Sequence, residues 1–250
     1  MKFHVSCASL SLIPFSRALE SVAEKFDGWQ IVAEGKHSMD LISKEFADMS
    51  QSYDIAYTVH APFSDINIAS LNRAIRLASV TEVASCIRVG ASLGIGSFVL
   101  HPGRCTLLSH GERERSFLLA RESLKSLSAL ATSLGVSILV ENASGTDAIG
   151  SSAREMKMLT AGTRAGICLD ISHASLDGSL NEFIAEGDSI GMVHLSDNDG
   201  RSDGHLPVGT GSLDVSTPLH FIRETGLPVV IESATLEGAA EGRAFLEGIP

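Results

Sequence analysis

The chain has only four cysteines, Cys7, Cys86, Cys105 and Cys168, scattered with no CxxC pair among them. That removes a zinc ribbon and a thioredoxin-like redox motif and leaves four reduced, mostly buried thiols as the expectation. Long apolar runs are missing too. The longest falls well short of the roughly 20 residues that cross a bilayer, so no membrane partner is expected. The first residues, MKFHVSC, run into a strand without a signal-like apolar region, and a cytoplasmic location is expected. Positive charge is in short supply: the formal net charge is −11. Non-specific contact with nucleic acid relies on Lys and Arg against phosphates, and this balance opposes it, although bound divalent cations offset such charge locally. Aromatic residues make up only 5%, few for stacking on bases. Proline is scarce, 7 against 23 glycines, a ratio that suits many tight strand-to-helix turns. No glycine-rich phosphate loop follows an early strand, because the glycines of GASLGIG lack a preceding strand and read as a helix end and turn.

What the chain does have is alternation. At 250 residues, 44% hydrophobic and 20% charged, it has the length of one barrel of strands and helices. Short apolar runs read as strands at Phe3 to Ser6, Trp29 to Ala33, Ile55 to Val59, Ser97 to Leu100, Val136 to Val140, Gly166 to Leu169, Ile190 to Val193 and Pro228 to Ile231. Between them lie helical patterns. Leu19, Val22 and Phe26 share one face of Phe15 to Phe26, and Asp40 to Met49 follows the second strand. Val80, Val83, Ile87 and Ala91 repeat at spacings of three and four, and Phe117, Leu124, Leu127, Ala131 and Leu134 form a stripe that stops at the C-cap residue Gly135. Arg154 to Leu159, Leu180 to Ala185, Leu213 to Glu224 with an interruption near Pro218, and Gly238 to Leu246 complete the set. Strands that are apolar throughout suit a parallel sheet buried on both faces. The expected fold is α/β, a (β/α)8 TIM barrel spanning residues 1–250 as a single domain; a doubly wound open sheet is the alternative.

The polar residues fall at the strand ends. His60, His101, Glu141, Asp170, His194 and Glu232 stand at or just past the ends of strands three to eight, and His173, Asp203 and His205 lie in the loops that follow. Each alone has an ordinary explanation, as a cap, a turn residue or a hydrogen-bonded histidine. In a barrel, however, the C-terminal strand ends meet at one mouth, so five imidazoles and four carboxylates converge there. Carboxylates buried together need compensating cations. Imidazole and carboxylate without thiolate suit Zn²⁺, Mn²⁺, Fe²⁺ or Co²⁺, so a divalent metal site, Zn or Mn, of one to three ions is expected. Glu141 and Glu232 have two roles open to them: each is able to bridge two metals, or to act as acid and base on opposite sides of a substrate.

The segments HAPFSDINIAS, LHPG, LVENASG, CLDISH, VHLSDND, DGHLPVGTG and VIES, from about His60 to Glu232, resemble the successive strand-end motifs of xylose-isomerase-like TIM barrels. That superfamily holds sugar isomerases and epimerases and the endonuclease IV type of abasic-site nuclease. Resemblance to endonuclease IV implies a trinuclear zinc site on His60, His101, Glu141, Asp170, His173, His194, Asp203, His205 and Glu232. Resemblance to the ketose epimerases implies one metal, typically Mn²⁺, on Glu141, Asp170, His194 and Glu232, with the first and last also exchanging protons with substrate. The chain satisfies both sets. It departs from endonuclease IV beside the ligands: Asp170-Ile171-Ser172-His173 replaces Asp-Thr-Cys-His, His194-Leu195-Ser196-Asp197-Asn198-Asp199 replaces His-x-Asn-Asp/Glu-Ser-Lys, and Asp203-Gly204-His205 replaces Asp-Arg-His.

Because those departures fall in substrate-facing loops, the expected function is a metal-dependent sugar or sugar-phosphate isomerase or epimerase. Glu141 and Glu232 would be catalytic, moving a proton through a metal-stabilised enediolate. Metal-assisted phosphoester hydrolysis, with abasic DNA as one substrate, is the alternative, and it uses all nine positions. The expected partner is a small sugar or sugar phosphate, with nucleic acid less favoured. Glu34, Arg104, Asp197 and Arg201 are candidate substrate contacts.

Overall fold

The computed structural model describes residues 1–249, and for residues 107 and 108 the backbone only. Eight strands, β1 Phe3–Ser6, β2 Gly28–Val32, β3 Ala56–His60, β4 Ser97–Leu100, β5 Ser137–Glu141, β6 Gly166–Asp170, β7 Ile190–Leu195 and β8 Val229–Glu232, pair in sequence order. Every pairing is parallel, and β8 returns to β1 to close the barrel. The helices are α1 Phe15–Ala23, α2 Met39–Met49, α3 Arg73–Ser92, α4 Arg113–Leu134, α5 Ala153–Thr160, α6 Ile171–Leu176, α7 Leu180–Ala185, α8 Ser216–Thr225 and α9 Leu236–Glu247. This is the (β/α)8 TIM barrel that the alternation predicts, and no helix among the described residues is long and apolar enough to cross a membrane.

Side chains along a strand alternate between faces, and that period sets the site. Val99, Leu139, Cys168, Met192 and Val230 form a small apolar cluster of their own, separate from the main core. They are the inward layer, across which Gln30 Nε2 reaches Met192 Sδ at 3.3 Å. Two residues further along the same strands come His101, Glu141, Asp170, His194 and Glu232, so the polar residues continue the inward row into the C-terminal mouth. The alternate residues, among them Ile31, Val59, Phe98, Leu100, Ile138 and Val140, face outward into the main core against the helices. Helix and barrel approach so closely at Gly90 that a Cβ there would stand 2.6 Å from the Phe98 ring. All four cysteines are buried and unpaired.

Two local readings need correction. Pro218 does not interrupt a helix: α8 begins at Ser216, which puts the proline in the first turn, where a missing N–H costs nothing because those donors have no partner inside the helix. The residues after Asp170 form a short helix, α6, whose N-cap is Asp170 itself, accepting the His173 N–H at 2.7 Å.

Candidate metal centre

Glu141, at the end of β5, is the hub. Its Oε2 lies 3.1 Å from His60 Nε2, 3.5 Å from His101 Nε2 and 3.3 Å from His194 Nδ1. Its Oε1 lies 3.6 Å from His173 Nδ1. Two groups of donor atoms meet at this carboxylate, each with all its atoms within 4.8 Å of one another: His60, His101 and Glu141, and then Glu141, Asp170, His194 and Glu232. Beside them His173 Nε2 and His205 Nε2 converge on Asp203 Oδ2, at 2.9 and 3.2 Å. His205 Nδ1 lies 3.7 Å from Glu232 Oε2, which links this third group to the second.

Main-chain carbonyls set the imidazole tautomers. His60 Nδ1 donates to the Ala61 carbonyl at 2.9 Å and His173 Nδ1 to the Asn142 carbonyl at 2.8 Å. A carbonyl only accepts, so the proton sits on Nδ1 and Nε2 points into the cluster. The centre is also incompletely satisfied from within. Asp170 Oδ2 and both nitrogens of His194 are buried without a hydrogen-bond partner, although His194 Nδ1 is 3.3 Å from carboxylate oxygens of both Glu141 and Glu232. Buried polar atoms of that kind cost stability. Acceptor atoms that crowd together without bonding one another fit a cation placed among them, so the residues present suit a divalent metal.

The titration directions follow from the crowding. Burial opposes charge on His60, His173 and His194, yet all three are raised, His60 and His173 by the carboxylates around them and His194 by Cys168 first and then by Glu232 and Glu141. Burial likewise works against the Glu141 carboxylate, but His194 and His101 hold it well below the usual range. Glu232 is lowered in the same way, chiefly by His194. Asp170 goes the other way, pushed up by burial to about 6. A hydrogen bond to Asp203 raises His205 to about 9. Protons on imidazoles thus balance the carboxylates, a task that a divalent cation takes over when it displaces them.

Residues 19–249 match the family model described as a xylose isomerase-like TIM barrel. The chain belongs to the xylose isomerase-like TIM barrel family. An uncharacterized protein of Methanocaldococcus jannaschii is 30% identical to it over 99% of this chain and 88% of its own length. A probable endonuclease 4 of Mycobacterium leprae is 27% identical over 80% of this chain and 81% of its own. The solved structure of a D-tagatose 3-epimerase-like protein superposes with a TM-score of 0.90 at 28% identity, covering 99% of this chain and 96% of that one. The relatives of this xylose isomerase-like barrel therefore include both classes that the strand-end motifs resemble.

In this family member the mouth opens into a cavity of about 330 Å³, lined by Phe63, Gly204 and Ser233 together with the donor residues other than Asp170 and His194. A second cavity of about 300 Å³ adjoins it across Phe63, His101, His173 and Asp203 and has Arg104 on its wall. The Phe63 ring stacks on His101, with centroids 5.4 Å apart, and meets His60 edge-on at 5.1 Å. The motif HAPFSD holds one aromatic residue, and that composition was the available signal for a cavity wall.

The four candidate substrate contacts separate. Arg104 borders the adjoining cavity. Glu34 lies off both, where its Oε1 accepts the N–H groups of Phe63 and Ser64 at 2.7 Å each, so it orders the loop after β3. Arg201 is exposed and outside both walls, and its backbone N–H closes a turn on Asp199 Oδ1 at 2.9 Å. Asp197 is fully buried with both oxygens bonded to backbone N–H groups, which leaves nothing for substrate and corrects that expectation. Asn142 went unnoticed in the sequence. Buried beside Glu141, it donates to the Asp170 carbonyl at 3.0 Å and accepts the Asp170 N–H at 2.7 Å. A polar residue immediately after a strand-end carboxylate was its signature.

Proposed function

We propose that this barrel is a multinuclear, divalent-metal-dependent phosphoesterase acting on a small phosphorylated, sugar-like substrate. The observation that carries the reading is the environment of Glu141. As a proton carrier in a single-metal epimerase it would need an oxygen facing a substrate carbon. Instead both its oxygens stand within 3.6 Å of imidazoles, and the carboxylate belongs to two donor groups at once. That is the setting of a shared, bridging carboxylate.

His60, His101 and Glu141 would hold one ion, Glu141, Asp170, His194 and Glu232 a second, and His173, Asp203 and His205 a third. The donor set, imidazole and carboxylate without thiolate, suits Zn²⁺ or Mn²⁺. Bound there, such ions supply positive charge to the attacking and leaving oxygens of a phosphoester and make water a stronger acid. The chain supplies the rest. The Ala61 and Asn142 carbonyls hold the rings of His60 and His173 in the ligating tautomer, Phe63 lines the cavity, and Arg104, on the wall of the adjoining cavity, would pair with a phosphate oxygen. A cavity of about 330 Å³ is of small-ligand size, and a net charge of −11 does not favour duplex DNA.

The epimerase-like structure with a TM-score of 0.90 supports a second reading, epimerisation on the Glu141, Asp170, His194 and Glu232 group. One experiment separates the two. The metal-loaded protein is incubated in D2O with sugar phosphates and with a chromogenic phosphodiester, with Glu232→Gln as control. Release of phosphate or chromophore without deuterium at a sugar carbon supports hydrolysis. Deuterium wash-in with no hydrolysis rejects it in favour of the epimerase.

A further inference from the structure

Two of the nine donors, Asp203 and His205, stand on the segment 196–215, between β7 and α8, where no helix or strand supports them. His205 moreover has φ +43, in the left-handed region that a side chain other than glycine enters at a cost. Something must hold this segment in place, and the contacts lead to Asp197. Its backbone pairs in antiparallel fashion with Leu206, the residue after His205, each N–H donating to the other's carbonyl at 2.9 Å. Its carboxylate accepts four backbone N–H groups: Asn198 at 2.9 Å and Leu213 at 3.0 Å on Oδ1, Gly209 and Gly211 at 2.9 Å each on Oδ2. The fit is tight enough to require glycine at 211, where a Cβ would stand 2.4 Å from Asp197 Oδ1 and 2.3 Å from the Asn198 carbonyl. From the other side the His205 carbonyl accepts the Ala234 N–H at 3.3 Å, anchoring the far edge to the end of β8.

We propose that Asp197 is a positioning residue: it folds the 197–213 loop around its carboxylate so that Asp203 and His205 are presented to His173, and the third donor group depends on it while the two groups on Glu141 do not. The proposal rests on the metal reading above. The physical reason is preorganisation. Six of the seven donors used by the Glu141-centred groups and by His173 stand on strand ends or on α6, and the seventh, His101, directly follows β4. Asp203 and His205 have only the loop, so an unpinned loop must be ordered by the ion itself, and affinity falls by that cost. A buried carboxylate is stable here because every oxygen carries charge-assisted bonds to N–H donors.

The test compares wild type, Asp197→Asn, Gly211→Ala and His205→Ala. Asp197→Asn turns an NH2 group toward backbone donors; Gly211→Ala displaces the carboxylate without altering it; His205→Ala removes a ligand outright. Metal-free protein is titrated with Co²⁺ by visible absorption, and amide hydrogen exchange is followed in the same metal-free proteins. In Asp197→Asn and Gly211→Ala we expect the weakest of the Co²⁺ sites to lose about 10- to 100-fold in affinity, as it does in His205→Ala, with the other sites unchanged. We also expect faster exchange confined to the amides between 198 and 213. Wild-type affinity at every site in both loop variants overturns the proposal. So does loss of all sites together with barrel protection, which would make Asp197 a general stabiliser. If wild type itself takes up a single Co²⁺, the metal reading of the function fails along with the third group, whatever the exchange data show for the loop.

Discussion

His60 presents Nε2 to Glu141 Oε2 at 3.1 Å while its Nδ1 is held by the Ala61 carbonyl at 2.9 Å. The ring is therefore fixed at both ends before any ligand arrives, and it points at the one carboxylate that the two donor groups share. A shared carboxylate makes the groups unequal in what their loss should do.

Glu141→Gln should be the most damaging single change in the centre. The amide keeps the shape but loses the negative charge and turns an NH2 group toward imidazole nitrogens. We expect weaker uptake at both groups that contain it and a fall in kcat/KM of about 100-fold or more. Asp203→Asn should weaken one group only. Equilibrium dialysis with each variant, followed by hydrolysis kinetics, checks the order.

Asn142→Leu removes the side chain that satisfies the Asp170 N–H and carbonyl. Both groups are buried, so the unmet bonds should cost about 1–3 kcal/mol of stability, measured by urea unfolding of the metal-free protein. Unchanged stability would mean that the two backbone groups find other partners.

Gly90→Ala tests the packing of α3 on the barrel. Alanine normally favours a helix over glycine by about 1 kcal/mol, but here its Cβ meets the Phe98 ring at 2.6 Å. Overpacking of that kind costs about 1–3 kcal/mol, so thermal unfolding should shift downward in spite of the helix propensity.

One ion pair away from the centre gives a pH dependence of known sign. Arg113 binds Glu155 through two nitrogens, at 2.5 and 2.9 Å, and the Gly150 N–H adds a third bond at 3.0 Å. Burial raises the Glu155 carboxyl, but these partners outweigh it and hold it below the usual value of 4.5. A depressed folded pKa contributes stability above the unfolded value, and that contribution is lost as pH falls through the folded one. Glu155→Gln should therefore be less stable than wild type near neutrality, and the gap should close as the pH is lowered through the acidic range. Denaturant midpoints across that range read it directly.

Much of this was legible in the sequence because the barrel imposes a period of two on every strand. Leu139 and Glu141, or Met192 and His194, share the inward face, so apolar strands that end in His, Asp or Glu announce a mouth lined with donors. Boundaries shifted by a residue, as at β3 (expected Ile55 to Val59, observed Ala56–His60), without changing which side chains face inward. Helix α6 is hidden in the sequence because it starts directly at the strand-end Asp170, which caps it, so no loop separates it from β6. The surroundings of Asp197 and Glu34 are hidden in the sequence for a common reason: a carboxylate in a loop rich in small residues has the same local sequence whether it faces substrate or backbone N–H groups. Only the folded loops, with Gly209 and Gly211 turned onto Asp197, and Phe63 and Ser64 onto Glu34, tell the two apart.

The most direct measurement is the metal content of the native protein, purified without chelator and determined by inductively coupled plasma mass spectrometry against protein concentration. A multinuclear centre organised on Glu141 predicts about one divalent ion for each donor group, close to three per chain and no fewer than two. A single ion per chain that does not rise on incubation with excess Zn²⁺ or Mn²⁺ would contradict it.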